Sequence, residues 1–285
     1  MGLKVQESDI ENELRALQKL CAVDQGNFLV RVFNHERSAS REFVPADLDC
    51  CSIDMELCSR NLKDEIAGQE STLQSLLAIM ASTEDPSEME GISSQLSSKN
   101  KHIVDILHQV LDGLEFIHSM DEVHRDLKPE NGLKWQETRL IVVLFSYADQ
   151  RWKIADFGCT SEAIGNELRS TENRRGTYAY RSPEILVGGV YNNKTDIWAL
   201  GCIVFEFCTK RAPFSGDFET IDYRYSGAKR PKAVFGESFI WPTCTEAVKA
   251  REIMHNFVDQ TLQLEWEDRP SCSELVRFLR ELELL

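Results

Sequence analysis

Between Glu11 and Leu20, leucines at positions 14, 17 and 20 recur at three-residue spacing with charged residues between them, a period that predicts an amphipathic helix. Asn27 to Phe33 and Cys51 to Met55 are short apolar-rich runs separated by a polar connection, and both read as strands. The next stretch, 67–100, is rich in Ser, Glu and Gln and has few large apolar residues after Met80, so the pattern predicts a partly ordered, solvated insertion. Helical order returns from Lys101 to Met120, where Ile103, Ile106, Leu107, Val110, Leu111, Leu114 and Ile117 share one broad face that belongs on a core. Thr195 to Phe207 is apolar almost all round, which places it at the centre of a helical domain, and Glu274 to Leu285 closes the chain as another amphipathic helix. The sequence shows no internal repeat. The expected class is α+β, with a fragmentary sheet in the first third and a mainly helical remainder.

Composition narrows the classes further. With 285 residues, 42% of them hydrophobic, the chain is large and apolar enough to bury a real core rather than stay disordered. Asp and Glu number 47 against 32 Lys plus Arg, a net charge of -15 that repels phosphate backbones and anionic lipid, so neither nucleic acid nor a membrane surface is the expected partner. The longest apolar run, Leu140 to Phe145, is far short of the roughly 20 residues that span a bilayer. No basic flank followed by an apolar core marks a secretory signal. Nine cysteines without a Cys-x-x-Cys pair fit reduced thiols better than a disulfide framework or a zinc site, and the expected location is cytoplasmic, with the nucleus as the alternative.

Chemistry concentrates in two places. His124-Arg125-Asp126-Leu127-Lys128-Pro129-Glu130-Asn131 follows the helix that ends at Met120, and packing alone gives no reason to gather Arg, Asp, Lys and Asn there. Asp156-Phe157-Gly158 follows the strand-like Trp152-Lys153-Ile154-Ala155. Two carboxylates, a lysine and an amide suit a site that holds a divalent metal and phosphate oxygens while accepting a proton from a hydroxyl.

These motifs, in this order, resemble the eukaryotic-type protein kinases. The resemblance runs on through Gly176-Thr177-Tyr178-Ala179-Tyr180-Arg181-Ser182-Pro183-Glu184, similar to the end of an activation segment with Ser182 where the family usually has Ala. It continues through Asp196-Ile197-Trp198-Ala199-Leu200-Gly201 and Asp268-Arg269-Pro270, covering the chain from Glu11 to Leu282. Lys128 and the Gly176-Thr177 pair resemble the serine/threonine branch. The resemblance implies a protein-kinase-like α+β fold, with 1–58 as a partial N-lobe and hinge and 59–285 as a mainly helical C-lobe. A flexible insertion at 67–100 and a short one at 132–142 would interrupt that C-lobe.

The same resemblance implies roles. Asp126 would orient the substrate hydroxyl and accept its proton, Lys128 would face the transferring phosphate, and Thr177 would bridge the two. Asn131 and Asp156 would hold Mg2+ against the phosphates of ATP. Met55 would be the gatekeeper, with plain core an equal reading, and the Glu56 carbonyl and Cys58 amide would receive adenine. His124 and Phe157 would stack with Leu17 and Val32 in an apolar column standing on Asp196, and Glu184 with Arg269 would form a buried ion pair. Arg125 would pair with a phosphate placed by an upstream kinase on Ser170 or Thr171, and the partner acted upon would be a protein substrate.

Two departures matter. Glu13 sits where the family pairs a helix glutamate with a strand lysine, yet the only glycine upstream is Gly2, and neither a glycine-rich loop nor that strand lysine precedes Glu13. The expectation is a truncated N-lobe that binds ATP poorly. Asn131 to Asp156 is about a dozen residues longer than the family's usual spacing. Gly132 to Val142 is the natural insert, either a β-hairpin or translated intron sequence. Two classes therefore remain, an ATP-dependent serine/threonine kinase domain and a kinase-like binding or scaffold protein without phosphoryl transfer.

Overall fold

A computed structural model describes residues 7–38, 50–83, 85–129, 142–171, 175–226 and 245–283. Its first helix, α1 (Glu7–Asp24), is longer at both ends than the leucine spacing predicts and buries Ala16, Leu17 and Leu20. Asp24 ends it, because the buried carboxylate accepts the Phe28 and Leu29 amides at 2.9 and 3.0 Å and turns the chain. Those bonds also correct the expected strand at Asn27 to Phe33. Phe28 to Val30 run alongside Ile154, with Val30 N–H donating to the Ile154 carbonyl at 2.9 Å, and the strand proper, β1 (Val32–Ser38), begins only afterwards. It pairs antiparallel with β2 (Cys50–Met55), Val32 lying opposite Met55.

A short strand, β3 (Cys58–Asn61), leads into two helices where a solvated insertion was expected. They are α2 (Leu62–Ser82) and α3 (Pro86–Ser119), so 67–82 and 86–100 are helical. Their starts are set by capping rather than by apolar periodicity: Asn61 Oδ1 accepts the Asp64 amide at 2.8 Å, and Asp85 Oδ1 accepts the Ser87 amide at 2.9 Å with Pro86 in the first turn. Leu76 and Ile92 are buried in this region while Ser75, Ser87, Glu88, Glu90 and Ser94 face water, which is why it scans as polar.

The second half of α3 buries the apolar face read from the sequence and packs on the strand Arg151–Ile154 and the helix Cys272–Glu283. After β4 (Glu122–Val123), the site loop runs to Pro129. Residues 130–141, which contain Asn131 and most of the expected 132–142 insert, lie outside the described residues. The chain resumes in β5 (Val143–Ser146), which is central in a sheet of three between β3 and β6 (Arg151–Ile154). Two small ladders follow, β4 with β7 (Ser161–Glu162) and β8 (Arg169–Ser170) with β9 (Val190–Tyr191), the latter pair flanking α4 (Pro183–Gly188).

In α5 (Lys194–Thr209) every residue is buried, Lys194, Asp196 and Glu206 included, as its nearly all-round apolar composition from Ile197 to Phe207 predicts. It packs chiefly on α7 (Thr245–Thr261), while Trp198 meets Tyr223 of α6 (Asp217–Ser226) at 6.3 Å and stacks on Phe214 at 5.5 Å, and α8 (Cys272–Glu283) lies against α3 and α7. Glu184 and Arg269 form a bidentate pair in this core, both contacts at 2.8 Å, and Lys194 Nζ donates to the Arg269 carbonyl at 2.6 Å.

Candidate active site

Asp196, buried at the start of α5, builds the loop that carries Asp126. Its Oδ2 accepts the His124 amide and its Oδ1 the Arg125 amide, each at 2.8 Å, and His118 Nε2 lies 2.9 Å from Oδ2. Arg125 is thereby held at φ +69°, a left-handed conformation that a non-glycine residue adopts only when its surroundings enforce it. Gly176 closes the other side. Its own φ is +96°, and a Cβ there would stand 2.5 Å from the Arg125 carbonyl oxygen, so only glycine lets the two segments meet. That approach brings Thr177 Oγ1 to donate to Asp126 Oδ1 at 2.7 Å, while Lys128 Nζ donates to Asp126 Oδ2. Thr177 and Lys128 thus grip the two oxygens of one carboxylate.

Asp156 is largely buried, and that burial, followed by the nearby charge of Asp126, raises its pKa above the ordinary carboxylate value. Two carboxylates held this way suit an oxygen-seeking divalent cation, which would relieve both the repulsion and the burial penalty. Asn131, the other expected ligand, is outside the described residues. Among the described residues no group of three or more His, Cys, Asp or Glu forms a metal cluster.

A cavity of about 210 Å3 brings together Glu13 from α1, Met55 at the end of β2, and Asp156, between walls that include Leu17, Val32 and Phe157. His124 meets Phe157 edge-on at 5.8 Å, which continues the expected column toward Asp196. Burial first, and Asp156 second, push the Glu13 carboxyl from 4.5 to about 7, and among the described residues no cation pairs with it.

Glu56 differs from its expected part. The resemblance gives a role to its backbone alone, yet its buried side chain accepts from Lys153 Nζ at 2.7 Å, the Arg31 amide at 2.8 Å and the Ser146 hydroxyl at 2.7 Å. Burial favours the neutral acid, but Lys153 and the other donors prevail and hold Glu56 below its ordinary value. Lys153, itself fully buried, also pairs with Asp149. This network joins the hinge to the strand that delivers Asp156. Its one signal in the sequence was a lysine between Trp152 and Ile154 in a strand too short to show alternation. Leu57, between Glu56 and Cys58, is 90% exposed, which leaves the hinge edge open to solvent.

The contact between His118 and Asp196 gives a pH dependence. Burial disfavours the imidazolium, but the Cys272 sulfur, 3.5 Å from Nδ1, and the Asp196 carboxylate outweigh it and raise the pKa from 6.5 to about 10. A raised folded-state value stabilises the fold fully below pH 6.5 and loses that contribution as pH climbs toward 10. Urea midpoints should therefore fall over that window, and the fall should be shallower in His118→Gln. Identical slopes in the two proteins would remove His118 as the cause.

A helical domain built on one buried helix, a carboxylate gripped by lysine and threonine, and a second, half-buried carboxylate beside a cavity define a kinase-like class of fold. The family model for the protein kinase domain matches residues 65–278, and the chain belongs to that family. Relatives include the human serine/threonine-protein kinase Nek5, 32% identical over 176 residues that make up 61% of this chain and 22% of the relative. A serine/threonine-protein kinase H1 homolog of Danio rerio is 31% identical over 60% of this chain and 36% of its own length. For the serine/threonine-protein kinase ICK of Rattus norvegicus the figures are 31%, 62% and 29%. The chain therefore spans roughly a fifth to a third of the length of these curated relatives. The family as a whole uses ATP with Mg2+ and acts on protein substrates. Among the described residues no helix is long and apolar enough to cross a membrane.

Proposed function

We propose that this chain is a serine/threonine kinase domain that transfers the γ-phosphate of ATP to hydroxyls of a protein substrate. The observation that carries the reading is Asp126, held by Thr177 and Lys128 near the half-buried Asp156. The substrate oxygen bonds to the γ-phosphorus, the bond to the β-bridging oxygen breaks, ADP departs, and Asp126 takes the hydroxyl proton. Lys128 faces the transferring phosphate, and Asp156 with Asn131 would hold Mg2+, which neutralises charge on the phosphates when bound. Met55 lines the cavity that also holds Glu13, and the Glu56 carbonyl and Cys58 amide, on the chain just beyond Met55, would take the base. Six described cysteines are free, in keeping with a reducing cytoplasmic or nuclear setting.

A second reading, a kinase-fold binding protein without transfer, is favoured by Glu13, which lacks a cation partner among the described residues. Incubating the chain with Mg2+, γ-labelled ATP and casein separates the two. Label on casein serine or threonine supports the kinase. Nucleotide binding by calorimetry without any label transfer supports the binding protein.

Control by phosphorylation belongs to the same proposal, and the geometry favours Thr171 over Ser170. Arg125 Nη2 lies 3.1 Å from Thr171 Oγ1, while the buried Arg125 Nε has no hydrogen-bond partner, so a phosphate on Thr171 would meet a guanidinium with donor capacity to spare. Burial already lowers the Arg125 pKa, and an anion there would reverse that. Thr171→Ala should reduce turnover by about tenfold relative to the phosphorylated protein, the scale of one charged hydrogen bond. Full activity of Thr171→Ala, or mass spectra of active protein with Thr171 unmodified, would rule the site out.

A further inference from the structure

Helix α1 carries a second polar face that the site described above does not use. Asn12, Arg15 and Lys19 fall at i, i+3 and i+7, one stripe of the helix, while Glu13, Leu17 and Leu20 face the cavity and the core. Every member of the stripe reaches a segment that flanks the site. Arg15 clasps Glu122 with both terminal nitrogens, Nη1 to Oε1 at 2.6 Å and Nη2 to Oε2 at 2.9 Å, and Lys19 Nζ adds a third contact at 2.9 Å. The same two cations reach Glu162, at 3.2 Å from Arg15 and 3.7 Å from Lys19. Asn12 Nδ2 donates to the Thr160 carbonyl.

The reason for this stripe lies on the other side of the contact. Glu122 has no exposed surface, and the β4–β7 ladder sets it directly opposite Glu162. Like charges opposed across a ladder repel, and an uncompensated buried carboxylate is strongly disfavoured. Arg15 and Lys19 are the cations that satisfy both, so the two short strands carry their charges comfortably only while α1 is seated. Glu122 lies two residues before His124 on the strand entering the Asp126 loop, and Glu162 lies on the strand that leaves Asp156-Phe157-Gly158.

We propose that Glu122 is a positioning residue: with Glu162 it draws Arg15 and Lys19 onto the ladder, seats α1, and so fixes Glu13 in the cavity beside Asp156. Its consequence for catalysis rests on the kinase reading, whereas the seating itself does not. The clasp provides electrostatic attachment of α1 that is independent of any partner for Glu13. It also makes the seating of the helix sensitive to how the segment after Gly158 is placed, because Glu162 and Thr160 belong to that segment.

Hydrogen exchange on Glu122→Gln tests the seating without nucleotide. Gln keeps the shape and removes the charge, so amides of residues 7–24 should exchange at least about tenfold faster while those of α5 keep their wild-type protection. Unchanged exchange in α1 overturns the proposal, and so does an equal rise in α5, which would signify only a general loss of stability. If the buried change prevents folding, Arg15→Met and Lys19→Gln, on partly exposed side chains, should show the same selective rise. Arg15→Lys, which retains the charge, should restore part of the protection. Adding Arg15→Met to Glu122→Gln should add little, because both remove one interaction, and full additivity counts against the clasp. In the transfer assay Glu122→Gln should lower kcat with the KM for casein unchanged, whereas a rise in KM with kcat unchanged would overturn the positioning role. Absence of transfer in the wild-type chain would defeat the kinase reading and leave the exchange result standing.

Discussion

Asp126→Asn is expected to reduce phosphoryl transfer by about 100-fold or more, the scale of a lost general base, while leaving the protein folded. The substituted amide is close to isosteric, and its oxygen can still accept the Thr177 hydroxyl that now bonds Oδ1 at 2.7 Å. What disappears is the group that takes the proton and the negative charge that Lys128 grips. Asp126 is also one of the causes that raise Asp156, so its neutralisation should let Asp156 ionise more readily and metal affinity need not fall. Turnover and unfolding should thus separate, with the rate lost and the urea midpoint nearly unchanged. Unaltered turnover in purified Asp126→Asn would remove Asp126 from the reaction.

The largest stability effect is expected at Arg269. Arg269→Met strands the Glu184 carboxylate, only 6% exposed, and removes donors to the Lys194 and Gln263 carbonyls as well as the cation over Trp198. Breaking one side of a buried pair costs about 3–5 kcal/mol, a large share of the roughly 5–15 kcal/mol that holds a domain folded. Replacing both partners, Glu184→Leu with Arg269→Met, should recover part of that loss, because no charge is then left buried. Burial raises the Glu184 pKa but Arg269 more than reverses it, so the folded value is depressed. Its contribution is therefore present above pH 4.5 and is lost as pH falls through the lower folded value. Urea titrations at neutral pH measure the first effect, and a loss below about 1 kcal/mol for Arg269→Met would contradict the buried-pair account.

The parts of this molecule legible in its sequence were those whose cause is local. Trp198 to Phe207 is apolar almost all round, so its burial in α5 followed from composition, and the apolar face from Ile103 to Ile117 followed from its period. The loop around Asp126 was legible because its chemistry is contiguous, from His124 to Lys128. The first half of α3 was not, since its start depends on Asp85 capping and Pro86 rather than on apolar spacing. The strand expected at Asn27 was misplaced because Asp24, a side chain on the preceding helix, takes the backbone amides of Phe28 and Leu29. Arg15 and Glu122 stand more than 100 residues apart, and no periodicity near either announces the other. Lys153 with Glu56 is the same kind of case, a pairing set by the sheet rather than by neighbours in the chain.

The complete burial of α5 has a consequence for how the protein is made. Synthesis runs from the N-terminus, so α5 leaves the ribosome before α7 exists, and the chain must grow by about 50 residues before that cover is complete. At roughly 5–20 residues per second, this buried helix stays without that cover for roughly 2.5 to 10 seconds. Nascent chains halted between Thr209 and Thr245 should therefore engage ribosome-associated chaperones strongly, and release should follow only once Phe257 and Val258 of α7 have emerged to cover it.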